Sequence, residues 1–139
     1  MAVLKRYSGA IVANDCETVV RLTSQAILRR NRLPNEWRNT ICPMLADWHT
    51  HNLKETLGEP RAHLVDGWRR VVFVRASRST DTPSGRTVSD FDYIVHSTDG
   101  GASWRVLDLG CVDERWVTEI FPKYAGVPSV HAASARLMQ

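Results

Sequence analysis

Hydrophobic positions along this chain change period near residue 60. Before that point they recur every three to four residues. Val19, Leu22, Ala26 and Ile27 follow Asp15, a good N-cap, and predict a helix running to about Arg30. After the break at Leu33, Pro34 and Asn35, the residues Trp37, Ile41, Met44, Leu45 and Trp48 fall at i, i+4, i+7, i+8 and i+11, one stripe of a second helix. Pro43 lies inside that stripe and predicts either two short helices or one bent one, because it has no N–H to donate. Residues 3–7 read as a short strand, and Gly58 and Pro60 as the close of the helical half.

Beyond residue 60 the pattern is that of strands. Residues 61–65 and 68–76 flank Asp66 and Gly67, a hairpin signature, and the run Val71, Val72, Phe73, Val74 predicts a central strand buried on both faces. Residues 91–97 and 104–109 flank six turn formers and predict a second hairpin. Phe91, Tyr93 and Val95 share one face of its first strand, and Asp92, Ile94 and His96 the other. Between the hairpins, residues 77–90 are Ser, Thr, Pro, Gly, Asp and Arg with almost no apolar residue, which predicts a long exposed loop of the kind that carries recognition. Asp113 can cap a final helix with Trp116, Val117 and Ile120 facing inward, and the tail from residue 132 is weakly patterned enough to fray. The expectation is a single α+β domain over residues 1–139, with N-terminal helices, a roughly four-stranded antiparallel sheet of two hairpins, and a C-terminal helix.

Within the second hairpin, Ser97, Asp99, Gly101, Ser103 and Trp104 have the spacing S-x-D-x-G-x-[ST]-W, which resembles the Asp-box hairpin of sialidase-type β-propellers. The resemblance implies architecture: the Asp fixes the turn, the Trp packs into the hydrophobic layer, and the motif lies away from the catalytic centre. A propeller needs at least four blades of roughly 40 to 50 residues. One copy of the box in a chain of 139 residues excludes that fold and the activity that goes with it. Asp99 is read as a turn residue bonding its own backbone, with Gly100 and Gly101 supplying positive φ.

Charge adds a direction. The net +3 is uneven, since residues 1–70 carry 11 Lys/Arg against 7 Asp/Glu while residues 71–139 carry 7 against 8. Fifteen of the eighteen basic residues are Arg, which favours bidentate pairing with carboxylates or phosphates. Arg29, Arg30 and Arg32 cluster where the first helix should end and suit its dipole there. Arg78 and Arg86, on the expected loop, are the first candidates for contact with an acidic partner protein, with Arg29, Arg30 and Arg32 next.

Catalytic motifs are missing: the chain has no P-loop, G-x-G-x-x-G, H-E-x-x-H or C-x-x-C. Asp47 and His51 have helical ligand spacing without an identifiable third ligand, so no metal and no cofactor are expected. His96, with Asp92 and Asp108 near it, is the best acid–base group should the sheet enclose a pocket. Cys16, Cys42 and Cys111 are odd in number and widely spaced, and fit reduced thiols. With no apolar run of membrane length and no secretory pattern, a cytoplasmic protein is expected. The functional expectation is a non-enzymatic protein-binding module, such as an immunity or inhibitor protein. The alternatives are a non-specific nucleic-acid binder, for which the basic half argues, and a small-ligand or enzyme pocket in a curved sheet.

Overall fold

The computed structural model describes residues 2–24, 34–111 and 134–137. The chain begins with helix α1, Ala2–Val12, where a strand was expected over residues 3–7. Leu4, Tyr7, Ser8 and Ile11 recur at helical spacing and are all buried, so the 3.6-residue period prevails over a short apolar alternation. Helix α2, Cys16–Leu22, starts as expected at Asp15, whose side chain accepts from the Thr18 amide at 3.3 Å and the Thr18 hydroxyl at 2.7 Å.

Helix α2 ends eight residues short of the expected Arg30. Thr23 turns to an extended conformation and bridges Val106, and the Ser24 amide donates to the Val106 carbonyl at 2.8 Å, so the chain here joins the edge of the sheet. Residues 25–33, with Ala26, Ile27, Arg29, Arg30 and Arg32, lie outside the described residues.

Helix α3, Pro34–Thr50, is one element that continues through Pro43, not two short helices. Ile41 and Leu45 are fully buried on either side of the proline, and that packing offsets the hydrogen bond Pro43 cannot make. Trp37 is also buried, while Met44 and Trp48 pack against the core from its margin, as the stripe predicts. Cys42, on α3, is disulfide-bonded to Cys16 on α2 with Cα atoms 5.4 Å apart. The expectation of three reduced thiols is thereby corrected, since spacing in sequence says nothing about two helices packed side by side.

The sheet runs in the order β1-β2-β3-β4, antiparallel throughout: β1 is Lys54–Asp66, β2 Arg69–Thr82, β3 Gly85–Ser97 and β4 Arg105–Asp108. A fifth strand, β5, Ser134–Leu137, pairs with residues 87–90 of β3, so this part of the tail expected to fray is held by ladder bonds. Gly58 and Pro60 lie within β1 and do not close the helical half. The register slips by one residue between Leu57 and Pro60 and again between Pro60 and Ala62. Two bulges, a proline and Lys54 blunt this outer strand against pairing with other chains.

Residues 77–90 are the largest correction. They form the ends of β2 and β3, joined by the turn Thr82-Pro83-Ser84-Gly85, in which Gly85 has φ 122° and the Thr82 hydroxyl donates to the Gly85 carbonyl at 2.6 Å. The ladder begun by the apolar segments Val71–Ala76 and Phe91–His96 extends through polar residues because backbone pairing needs no apolar side chain. The expected C-terminal helix over residues 113–120 lies outside the described residues.

Cross-strand pairs define two faces. Val72, Val74, Ala76, Phe91, Tyr93, Val95 and Val106 share one face, against which α1 packs through Tyr7, whose ring meets Tyr93 edge-on at 5.6 Å. Val71, Phe73, Ile94 and Leu107 share the other and are equally buried.

Candidate functional site

The Asp99 loop is locked by its own side chains. Ser97 Oγ donates to Asp99 Oδ1 at 2.7 Å and accepts the Gly101 amide at 2.9 Å, while Asp99 accepts the Ser103 amide at 2.9 Å and the Ser103 hydroxyl. The Ser103 and Ser97 hydroxyls hold the Asp99 carboxyl down at about 2. Gly100 and Gly101 take φ values of 72° and 96° in the left-handed region, and Trp104 packs against the core from its margin. The carboxylate thus spends its acceptors on the turn it sits in.

This loop seats a second feature that the sequence reading passed over. The Gly100 amide donates to the Trp68 carbonyl at 2.8 Å, and the Trp68 ring lies so close over Gly100 that a Cβ there would come within 2.7 Å of it. Trp68 occupies the β1–β2 turn with 75% of its surface exposed, and Val65, near the end of β1, is 60% exposed. Gly67 takes φ 59°, and Arg70 Nη1 donates to its carbonyl at 2.5 Å, so both neighbouring turns fix the backbone under the indole. Arg69 is exposed next to it. The signal was present in Asp66-Gly67-Trp68, but a Trp beside a valine-rich strand reads as core.

Arg78, expected on a mobile loop, is instead 5% exposed. Its guanidinium lies between the rings of Trp48 and Phe91, 4.7 and 4.5 Å from their centroids. Nε donates to Glu55 at 3.1 Å, and Nη2 donates to Asp108 at 3.0 Å and to the Tyr93 hydroxyl at 2.9 Å. Tyr93 in turn donates to Glu55, and Asp108 accepts from Tyr7 at 3.0 Å, from the Gly110 amide at 2.8 Å and from the Cys111 thiol at 3.3 Å.

Burial alone would depress the Arg78 guanidinium, but Asp108, Tyr93 and Glu55 together hold it well above its ordinary value. Burial pushes the Glu55 carboxyl up against the opposing pull of Arg78, and Asp108 adds to the rise. The Tyr7, Tyr93 and Cys111 groups are raised well above their usual range by burial and then by Asp108, so all three remain neutral donors. Two carboxylates share one guanidinium, and this arrangement consumes most of the donors Arg78 was expected to offer a partner.

Arg86 is likewise committed. It pairs with Asp81 at 2.5 Å, donates to Ser79 Oγ at 3.1 Å and to the Asn52 carbonyl at 2.8 Å, and so ties the β2–β3 hairpin to the end of α3. The proposed acid–base group is not assembled. Asp92 is buried between Arg61 at 2.8 Å and Arg75 at 2.9 Å, and Asp108 projects from the opposite face. His96 meets Ser24 Oγ at 3.0 Å, and burial, with Arg105 and Arg69 adding, lowers it to about 4. His51 Nδ1 lies 3.6 Å from Asp47 Oδ1 on the surface, and among the described residues no three His, Cys, Asp or Glu side chains converge on a metal-sized site. No described helix is long and apolar enough to cross a membrane. No known protein family, curated protein or solved structure matches this chain.

Proposed function

We propose that the chain is a non-enzymatic protein-binding module anchored by Trp68. The observation that carries this reading is an exposed indole that lies against Gly100 where two turns meet. A large aromatic ring of fixed orientation buries its area in a partner with little further loss of conformational freedom, and Trp and Arg are the residue types most often at the energetic centre of interfaces. Val65, on the same hairpin, is a second exposed apolar residue, and exposed Arg69 adds positive charge, which supports a partner with an acidic surface. In this reading the Asp-box-like loop is the mount of the contact surface and takes no part in chemistry.

An inhibitor or immunity type of action is one use of such a surface. The Cys16–Cys42 bond supports an oxidising setting over the cytoplasmic one expected from the sequence. Binding of nucleic acid has less support, because five Arg residues, Arg38, Arg61, Arg75, Arg78 and Arg86, are already paired with carboxylates.

The test is affinity capture from the source organism with wild type and Trp68→Ala side by side, followed by affinity measurement with the purified partner. Truncating a central anchor of about 2 kcal/mol weakens binding about 30-fold. Trp68→Ala should melt like wild type, since the ring is exposed. A partner held equally well by both proteins would remove Trp68 from the interface.

A further inference from the structure

At the other end of β2, far along the strand from Trp68, a small cleft opens over Arg78. Its walls are Trp48, Phe91 and the side chains of Thr80, Thr87 and Ser89, with Gly110 at one side. Thr80 pairs with Thr87 and Arg78 with Ser89 on alternate rungs of the β2–β3 ladder, so the four side chains form one patch on one face. The three hydroxyls are half-buried, and none has a side-chain hydrogen bond to the protein among the described residues. Half-buried hydroxyls on rigid strands that lack protein partners are groups a bound molecule can satisfy.

We propose that this cleft binds an uncharged polyhydroxy compound, a short polyol or the edge of a sugar ring. Size is the first argument. The cavity measures about 60 Å³, well above the roughly 10 to 15 Å³ that one water needs and small enough to exclude a bulky ligand. That suits part of a short polyol, or one edge of a monosaccharide, whose remainder lies in the open mouth.

Charge is the second argument. The cation at the floor already faces two carboxylates, Glu55 at 3.1 Å and Asp108 at 3.0 Å, and the Gly110 amide is spent on Asp108. An arriving anion would meet a cluster with no net positive charge. Among the described residues the hydrogen-bond partner of Arg78 Nη1 is the Cys111 sulfur, at 3.8 Å, which leaves N–H capacity for a neutral oxygen. Hydroxyls both donate and accept, which suits the hydroxyls of a polyol, and the edges of Trp48 and Phe91 suit its C–H groups.

The experiment is an NMR titration of the ¹⁵N-labelled protein with glycerol, erythritol, D-ribose and D-glucose, with inorganic phosphate in a separate arm. At least one uncharged compound should give saturable shifts confined to the Trp48 indole and to residues 78–91, with a Kd on the order of millimolar. Thr80→Val and Thr87→Val keep the β-branched shape of the strand and should fold normally while weakening binding about tenfold each, as expected for one lost hydrogen bond. Trp68→Ala should bind the compound like wild type. The proposal is overturned if none of the four compounds saturates, if phosphate alone does, or if both Val variants bind as tightly as wild type.

Discussion

His96 offers a pH-dependent test of how this core is built. The imidazole is buried on β3, bonded to Ser24 Oγ at 3.0 Å, and opposite Arg105 on β4, with Arg69 also near. Burial first, and then those two cations, lower it from 6.5 to about 4. The unfolded chain therefore takes up a proton that the folded chain refuses between about pH 6.5 and pH 4. Stability from this group is complete above the unfolded value and is lost as pH falls through that window. A shift of about 2.5 units at 1.36 kcal/mol per unit corresponds to a loss of about 3 kcal/mol, to within one or two kcal/mol. Glu55 works in the opposite sense. Its folded value is raised, so its contribution is complete below the unfolded value near 4.5 and declines as pH rises through the folded value. Both groups act on the wild-type slope, which makes a variant comparison necessary. His96→Gln can still bond Ser24 but cannot titrate. Urea unfolding of both proteins at pH 4, 5, 6 and 7 should show His96→Gln losing about 3 kcal/mol less than wild type between pH 7 and pH 4. Parallel curves for the two proteins would show that the imidazole is not held neutral by its surroundings.

Arg78→Met should destabilise by about 3 to 5 kcal/mol at neutral pH, because Glu55 and Asp108 would remain buried without a cation. Adding Glu55→Gln should recover part of that loss in denaturant melts, and no recovery would mean that the guanidinium contributes mainly by packing between Trp48 and Phe91. Replacing both Cys16 and Cys42 by Ser opens a link across 26 residues and should cost about 3 kcal/mol, read as a lower Tm that reductant then leaves unchanged. Asp99→Ala should lower Tm and, because the carboxylate sits near 2 in the fold, reduce the loss of stability on acidification below about pH 4; equal Tm values would detach the carboxylate from the turn. Gly100→Ala should leave the sheet intact but shift the Trp68 indole fluorescence, since a Cβ at that left-handed position collides with the ring.

Hydrophobic spacing carried the α+β class, the apolar stripe of α3, a turn one residue on from the expected Asp66-Gly67, and the antiparallel arrangement around residues 91–108. Each of these has its apolar residues at intervals that only one kind of element can bury. The reading failed where polar residues continue a strand. In residues 77–90 the Ser, Thr, Asp and Arg side chains point alternately to two faces, and the strand is specified by pairing with neighbours that are apolar further along. The turn signal Pro83-Ser84-Gly85 was visible, and a period-2 search blind to polarity would have placed it at the tip of a hairpin. The first strand escaped for a related reason, since Gly58 and Pro60 mark bulges within β1 as readily as they mark an end.

Arg78 shows why charge counted along a sequence is a poor guide to surface. In the alternation of β2, Arg75 and Ser77 project to one face and Ala76 and Arg78 to the other, the face on which α1 and the end of α3 pack. A guanidinium fixed there needs acceptors, and the register supplies them: Glu55 lies directly across β1, and Asp108 reaches in from β4 across Tyr93. Each acceptor comes from a different strand, so the triad can form only when all four strands are in register. A one-residue slip would turn Arg78 to the opposite face and leave two carboxylates buried without their cation. The polar cluster therefore penalises the wrong register more than it stabilises the right one. On a sheet whose ladder runs on through polar residues, that is the discrimination the apolar residues cannot provide.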